Sequence, residues 1–377
     1  MTSEPDPTVL RHRHLEQIAM AALESGRLLM ETGAKSAVVA TGMRKAAAGL
    51  GAEQAHTRIG YASLELTVTH GANTITRMIG VGPHRVDMRL NHAVRALCTR
   101  TEQGGLTPQD VFAQIGALPR QVARHRKVLI ALAAGLACAA FGRLLGSDWI
   151  AFAPVLAGSA LAQGVRMTLA ARGTNAFVLT AVVALVASAL AGLGADLAGS
   201  QTLGIAMTAS VLLLVPGVPS MNAQTDIMEG FPTMGSARFV TVAMLLIFIT
   251  VGMGGARMIV GPGLDGSLAP PGAIWHQAAF GALAAAGFGV LFNFGPRTLP
   301  WAAAAGAIAL SVRTFALESG LPLEAASFLA AVTLALWVEL LSARPLRVPH
   351  AGQTLAVVGC IPMVPGGAAA QFIIGLL

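Results

Sequence analysis

Apolar residues recur at helical spacing over residues 14–32 (HLEQIAMAALESGRLLMET), where Ile18, Ala22 and Leu29 share a face, and Gly33 is placed to cap the run. A second helix fits 35–50 and is closed by Gly51. The period then changes to two. Segments at 55–60, 62–69 (ASLELTVT) and 74–80, with the turn His70-Gly71-Ala72-Asn73, predict a small antiparallel meander. Helices return at 87–103 and at 107–117, the last opening on Thr107 as N-cap and Pro108 at the first helical position. From residue 128 onward the polar face disappears. Apolar runs of about 20 residues, enough to cross a bilayer, are predicted at 128–146, 149–168, 174–194, 202–221, 238–256, 275–294, 298–316, 322–341 and 351–368.

Charge follows the same division. Of the 377 residues only 11% are charged, far below the usual share of about 25% in soluble chains. Residues 1–127 carry 16 Lys+Arg and 10 Asp+Glu, whereas 128–377 carry 9 Arg, no Lys and 8 acids. The expected fold class is an α-helical polytopic membrane protein with a small α+β N-terminal domain. The expected divisions are 1–127, 128–256 and 257–377. Arg120, Arg124, His125, Arg126 and Lys127 abut the first span, as basic residues do on the cytoplasmic side. With that domain cytoplasmic, alternation puts Arg166, Arg172, Arg238, Arg297, Arg344 and Arg347 at inner ends. Only Arg143, Arg257 and Arg313 fall at outer ends. The net charge of +7 has no basic stripe interleaved with aromatics behind it, so nucleic acid is not an expected partner. Cys98, Cys138 and Cys360 are scattered, with neither disulfide nor metal spacing, and read as buried small residues. The opening MTSEPDPTVLRHRHLE has no apolar signal region.

An internal repeat is visible. Displaced by 147 residues, ALAAGLACAAFGRLL (131–145) falls on AAFGALAAAGFGVLF (278–292), matching Phe141 with Phe288 and Gly142 with Gly289. The same shift matches Val165-Arg166 with Val312-Arg313 and Gly173 with Gly320, and a shift of 149 matches Val215-Pro216-Gly217 with Val364-Pro365-Gly366. If each unit has five spans, the second enters the membrane from the opposite face, giving an inverted repeat of two five-helix units as in many secondary transporters. The partner of span 238–256 would fall beyond Leu377, so the second unit is expected to lack its last helix.

Three groups of residues are placed to carry chemistry. LLLVPGVPSMNAQTD (212–226) breaks a span at Pro216, Gly217 and Pro219, and IPMVPGG (361–367) repeats the device at Pro365 and Gly366. Prolines remove backbone donors, and broken helices in corresponding positions of two halves mark transporter sites, although Pro-Gly also kinks packed helices. Arg166 and Arg313 are arginines within spans, where a guanidinium usually faces a cavity, or snorkels to the interface. As an inverted pair they would suit a carboxylate. Asn222 and Asp226 offer an amide and a carboxylate to an ammonium group or a coupling proton, or cap the next segment. Gln163 and Gln371 are further polar groups at membrane depth, placed to bind substrate or knit helices together, and Glu339, near the cytoplasmic end of its span, is placed to relay a proton or pair with Arg344. His56, His70, His84 and His92 have no metal-binding spacing, and neither a nucleophile elbow nor a phosphate loop is present. No cofactor or metal is expected, and transport would be driven by an ion or substrate gradient.

These residues resemble the threonine/serine exporter family, including its two-subunit succinate exporters. GRLLMETGAKSAVVATGMRKAAAGLG (26–51) is similar to the family's opening motif, and ASVLLLVPGVPSMNAQTDIMEG (209–230) to its broken helix. RTLPWAAAAGAIALSVRTFALESGL and VVGCIPMVPGG resemble the small partner subunit, fused here into one chain. The resemblance implies a bacterial inner-membrane exporter with a cytoplasmic N-terminal domain and ten spans over both parts. It adds weight to Pro216, Gly217, Asn222, Asp226, Arg313, Pro365 and Gly366. The expected activity is export of small carboxylate-bearing metabolites, threonine and serine first, with a C4-dicarboxylate such as succinate as the alternative. From a different class, residues 1–127 would be a membrane-anchored enzyme or sensor, which needs neither the repeat nor the paired breaks. The expected partners are the small-molecule substrate and the lipid bilayer, with a homo-oligomer left open.

Overall fold

The N-terminal elements form where the residue pattern places them. In the computed structural model, which describes residues 7–261, 272–343, 352–360 and 363, α1 spans Pro7–Glu31 and α2 spans Ser36–Gly49. Between them Gly33 adopts φ 91° and Ala34 N–H donates back to Leu29 O at 3.1 Å, the left-handed cap that lacks the Cβ penalty. The meander is β1 (Gln54–Ile59), β2 (Ser63–His70) and β3 (Asn73–Gly80), antiparallel in that order. Strand β2 alternates so that Leu64, Leu66 and Val68 are buried. Helices α3 (Met88–Glu102) and α4 (Pro108–Gln121) follow, α4 opening on a capping box between Thr107 and Asp110.

By packing, the chain falls into two units. One comprises residues 1–124 with 218–240, the other 125–217 with 241–377. The sequence put 218–240 with the first membrane repeat; here this stretch shares a core with the N-terminal elements, Met234 lying among Ile18, Leu29, Met43 and Leu90.

The second unit is helical. Its elements are α5 (Lys127–Leu144), α6 (Phe152–Ala171), α7 (Ala176–Leu197) and α8 (Leu203–Val211), then the distal part of α10 (Pro232–Val260), α11 (Ile274–Leu291), α12 (Leu299–Glu318), α13 (Leu323–Ser342) and α14 (Gly352–Cys360). The intervening α9 (Gly217–Met228) and the start of α10 belong to the first unit. Among the described residues six helices, α5, α7, α10, α11, α12 and α13, are long and apolar enough to cross a bilayer, and the bent pair Leu203–Leu214 with Gly217–Met228 makes a seventh candidate. Nine were expected. Helix α6 is 20 residues long but carries Gln163 and Arg166, which dilute its apolar character. Helix α14 is described for nine residues, and the rest of the predicted last span lies outside the described residues.

The helices recur at a fixed offset. Helices α5 and α11 begin and end 147 residues apart, as do α6 and α12; α7 and α13 begin 147 apart, and α8 and α14 begin and end 149 apart. The C-terminal caps of the first two pairs recur bond for bond. After α5, Gly146 has φ 93° and Ser147 N–H donates to Gly142 O at 2.8 Å; after α11, Asn293 has φ 58° and Phe294 N–H donates to Gly289 O at 2.8 Å. After α6 and α12, Gly173 and Gly320 both take positive φ, followed by Thr174 N–H to Leu169 O and Leu321 N–H to Ala316 O. The neighbours recur too: α6 packs between α5 and α7 as α12 packs between α11 and α13, while α8 covers α5, α6 and α7, and α14 covers α11, α12 and α13.

The two series meet along α5 and α11. His276, at the start of α11, contacts Arg143 at the end of α5, and His125, just before α5, contacts Phe294 O just after α11. These two helices therefore run antiparallel. Close approaches depend on small residues: a Cβ on Gly306 would stand 2.3 Å from Gly281 O, so α11 and α12 touch backbone to backbone there.

Candidate functional site

Val215 precedes a proline, which bars it from the helical region; it has φ −60° and ψ 123°, and the helix stops. A short 3-10 turn (Leu212–Leu214) ends α8, and α9 restarts at Gly217 with a bend of 57°. Pro219 sits in the first turn of α9, where its missing N–H costs nothing. Pro216 and Gly217 are buried. The carbonyls upstream of the break are served by side chains of the surrounding helices. Ser159 Oγ and Cys138 Sγ both donate to Ser210 O (3.2 and 3.5 Å), and Ser188 Oγ donates to Met207 O (3.1 Å). The break is thus enclosed in protein, the condition under which irregular backbone is tolerated at membrane depth.

Arg166, on α6, and Arg313, on α12, occupy equivalent positions in the two helix series. Among the described residues neither has a carboxylate partner, and Arg313 Nε is buried without a hydrogen bond. Gln163 lies nearly one turn before Arg166 and is buried. An arginine in an apolar helix with no counter-ion is costly. What such a group can do chemically is accept an anion, bidentately if it is a carboxylate.

Asn222 and Asp226, read as polar groups for an ammonium or a coupling proton or as caps of the next segment, bond to the turn before α2. In the first unit Asn222 Nδ2 donates to Gly33 O at 3.0 Å, and Arg238 Nη2 donates to Ala34 O at 2.8 Å. Asp226 accepts from the Ser36 backbone N–H at 2.8 Å and from Ser36 Oγ at 2.9 Å, and lies 3.3 Å from Arg238 Nη1. No side chain caps α2 locally, so Asp226 supplies the negative charge favoured at a helix N-terminus from 190 residues away. Lys35 pairs with Glu229 beside it. Asp226 is fully buried and Arg238 is 5% exposed. The GAKS turn (residues 33–36) is thereby held by α9 and the start of α10.

Pro365, Gly366 and Gln371 lie outside the described residues, as do Arg344 and Arg347. His276 was not singled out from the sequence. It follows Trp275 at the head of an apolar run, and the signal that could have found it was an imidazole and Arg143 at the same expected membrane face.

A family model described as "Putative threonine/serine exporter" matches residues 20–260, and another, "Threonine/Serine exporter, ThrE", matches 277–377. The chain is 28% identical over 240 residues to "Probable succinate transporter subunit YjjP" of Klebsiella aerogenes, covering 63% of this chain and 91% of that one. It is 29% identical over 240 residues to the protein of the same name in Escherichia coli K12, covering 63% and 92%. No solved structure matches it.

Proposed function

This chain belongs to the threonine/serine exporter family, and we propose that it exports small carboxylate-bearing metabolites through a site shared by its two helix series. The family is one of membrane exporters rather than enzymes. Threonine and serine lead as substrates because they name the family. The relatives named as succinate transporter subunits favour a C4-dicarboxylate as the second reading. Two guanidiniums without acid partners among the described residues match the charge of a dicarboxylate better than that of a zwitterion.

The observation that carries the proposal is the recurrence of four consecutive helices, the first two with their C-terminal caps, coupled with an arginine in each copy that has no carboxylate partner among the described residues. The antiparallel contact of α5 with α11 supports reading the copies as an inverted repeat, the arrangement in which substrate binds between halves and is released alternately to either side. Both family models lie in one chain, so both halves are encoded together. The basic residues before α5 support a cytoplasmic N-terminal unit at the inner membrane. In this reading the turn at 33–36 docks on the helices that follow the first break.

The test is efflux from cells overexpressing the chain and preloaded in parallel with labelled threonine, serine and succinate, with and without an uncoupler. Uncoupler-sensitive loss of the amino acids supports the first reading. Loss of succinate alone supports the second. Retention of all three overturns both.

A further inference from the structure

The outer ends of α5 and α11 carry a cluster that the substrate site does not use. Arg143 lies with its guanidinium carbon 4.4 Å from the Trp149 ring centroid and 6.0 Å from that of Phe280. Its Nη1 donates to Ser147 O, and its Nη2 stands 3.4 Å from His276 Nε2. The His276 ring packs on Phe280 with centroids 4.6 Å apart and is 9% exposed. Arg143 Nε and His276 Nδ1 are buried and have no hydrogen-bond partner among the described residues.

The polarity of the Arg143–His276 contact is fixed by chemistry. A guanidinium has donors and no acceptor, so His276 Nε2 must accept, and the imidazole must be neutral with its proton on Nδ1. A proton added at Nε2 removes the acceptor and sets two cations about 3.4 Å apart in a poorly solvated seam. Among the described residues, the other charged groups near this end do not compensate. Helix α12 contributes Arg313 and Glu318, and α14 contributes Cys360; none is bonded to His276. Asp148, the acid nearest Arg143, already accepts from Ala151 N–H, Ser200 Oγ and Gln201 N–H. The cluster has no equivalent in the other copy: 147 residues away, Arg143 corresponds to Val290 and His276 to Leu129.

We propose that His276 is the proton-accepting group through which an external proton gradient drives export, and that its protonation releases Arg143 and loosens the α5–α11 seam on the outer face. The inference rests on the exporter reading and its orientation, and it names the coupling ion. Proton binding at Nε2 exchanges the Arg143 Nη2–H···Nε2 bond for an Nε2–H bond; no other bond is made or broken.

The test uses the purified full-length chain in liposomes loaded with labelled threonine, serine or succinate. Internal pH is held fixed while external pH is varied from about 8 to about 5.5, the range over which imidazoles titrate. The wild type should export several-fold faster at the acidic end. His276→Gln keeps an acceptor for Arg143 but cannot titrate there, so its flux should be flat against external pH. Substrate-for-substrate exchange at equal pH, which needs no net proton movement, should stay near the wild-type rate and serves as the folding control. A wild-type pH profile in His276→Gln overturns the proposal, as does dependence on internal rather than external pH. If the wild type exchanges none of the substrates, the exporter reading fails. The latch is then judged by spin labels at the exposed positions Leu145 and Trp275. Acid should separate them in the wild type and leave them in place in His276→Gln. An equal response in both overturns it.

Discussion

Phe141 and Phe288 pack edge to face with ring centroids 5.7 Å apart, and they are the same position in the two helix series. Around a twofold axis, only residues close to the axis meet their own counterparts. Helical side chains lean toward the N-terminus of their helix. In two antiparallel helices that lean carries both rings toward the middle of the seam. Phe141→Ala and Phe288→Ala should therefore each destabilise the protein by about 3–5 kcal/mol. The double variant should cost less than the sum, by about 0.5–1.5 kcal/mol. Unfolding of the detergent-solubilised protein measures both.

Arg313→Gln removes a half-buried cation while keeping a polar side chain. If Arg313 meets the substrate carboxylate, export should fall about tenfold or more, the equivalent of about 1.4 kcal/mol. Arg313→Lys, which restores charge without the planar fork, should recover part of it. Unchanged efflux in the Gln variant would remove Arg313 from the site.

Asp226→Asn leaves Arg238 buried without its counter-charge, at a cost of about 3–5 kcal/mol. Adding Arg238→Met to it removes the stranded cation and should restore a substantial part of that loss. Thermal unfolding of the full chain checks the order: the single variant is the less stable. The reverse order would mean that the ion pair contributes little beyond the hydrogen bonds to Ser36.

His84 stacks on Tyr61 with centroids 4.6 Å apart and bonds Tyr61 O at 3.1 Å. Burial, and then the positive charge of Arg238, hold its pKa below the ordinary imidazole value. The unfolded chain therefore binds more protons at His84 than the folded one, so stability rises with pH. This contribution is present above about pH 6.5 and is lost as pH falls through the lowered folded value. Unfolding followed from pH 7.5 down to pH 5 should show a decline that is shallower in His84→Gln.

Burial pushes the Cys98 thiol up to about 11, with the Ser25 hydrogen bond only partly opposing it. At pH 8 its thiolate fraction is then about a thousandth, against roughly a quarter for a free thiol. Maleimide should label Cys98 at least a hundredfold more slowly in the native chain than in the unfolded one. Rapid native labelling would mean that α3 opens readily.

Much of the fold was legible in the sequence because local chemistry fixes it. Gly33, Thr107 with Pro108, and the turn at Gly71 mark element ends whatever the rest of the chain does. The offset of 147 was visible in ALAAGLACAAFGRLL and is the offset of the helices themselves. The break at Pro216 was legible for the same reason: proline acts on its immediate neighbour. What escaped was long-range. Nothing near Asp226 announces that its partner is Ser36, 190 residues away, and nothing in the mixed stretch 231–240 announces that Met234 joins the core around Ile18 and Met43. His276 escaped because its meaning depends on Arg143, 133 residues distant.

The Asp148 carboxylate ties the start of α6 to the loop between α7 and α8, and Asp148 N–H donates to Thr202 Oγ1 at 3.1 Å. Its counterpart in the other helix series is Gly295, which has no side chain with which to make such a tie. Two identical halves would balance like a seesaw, with neither face preferred. Asp148 is thus a point at which the repeated frame is not repeated: one residue joins the start of α6 to residues 200–202, where the equivalent position, Gly295, offers backbone alone.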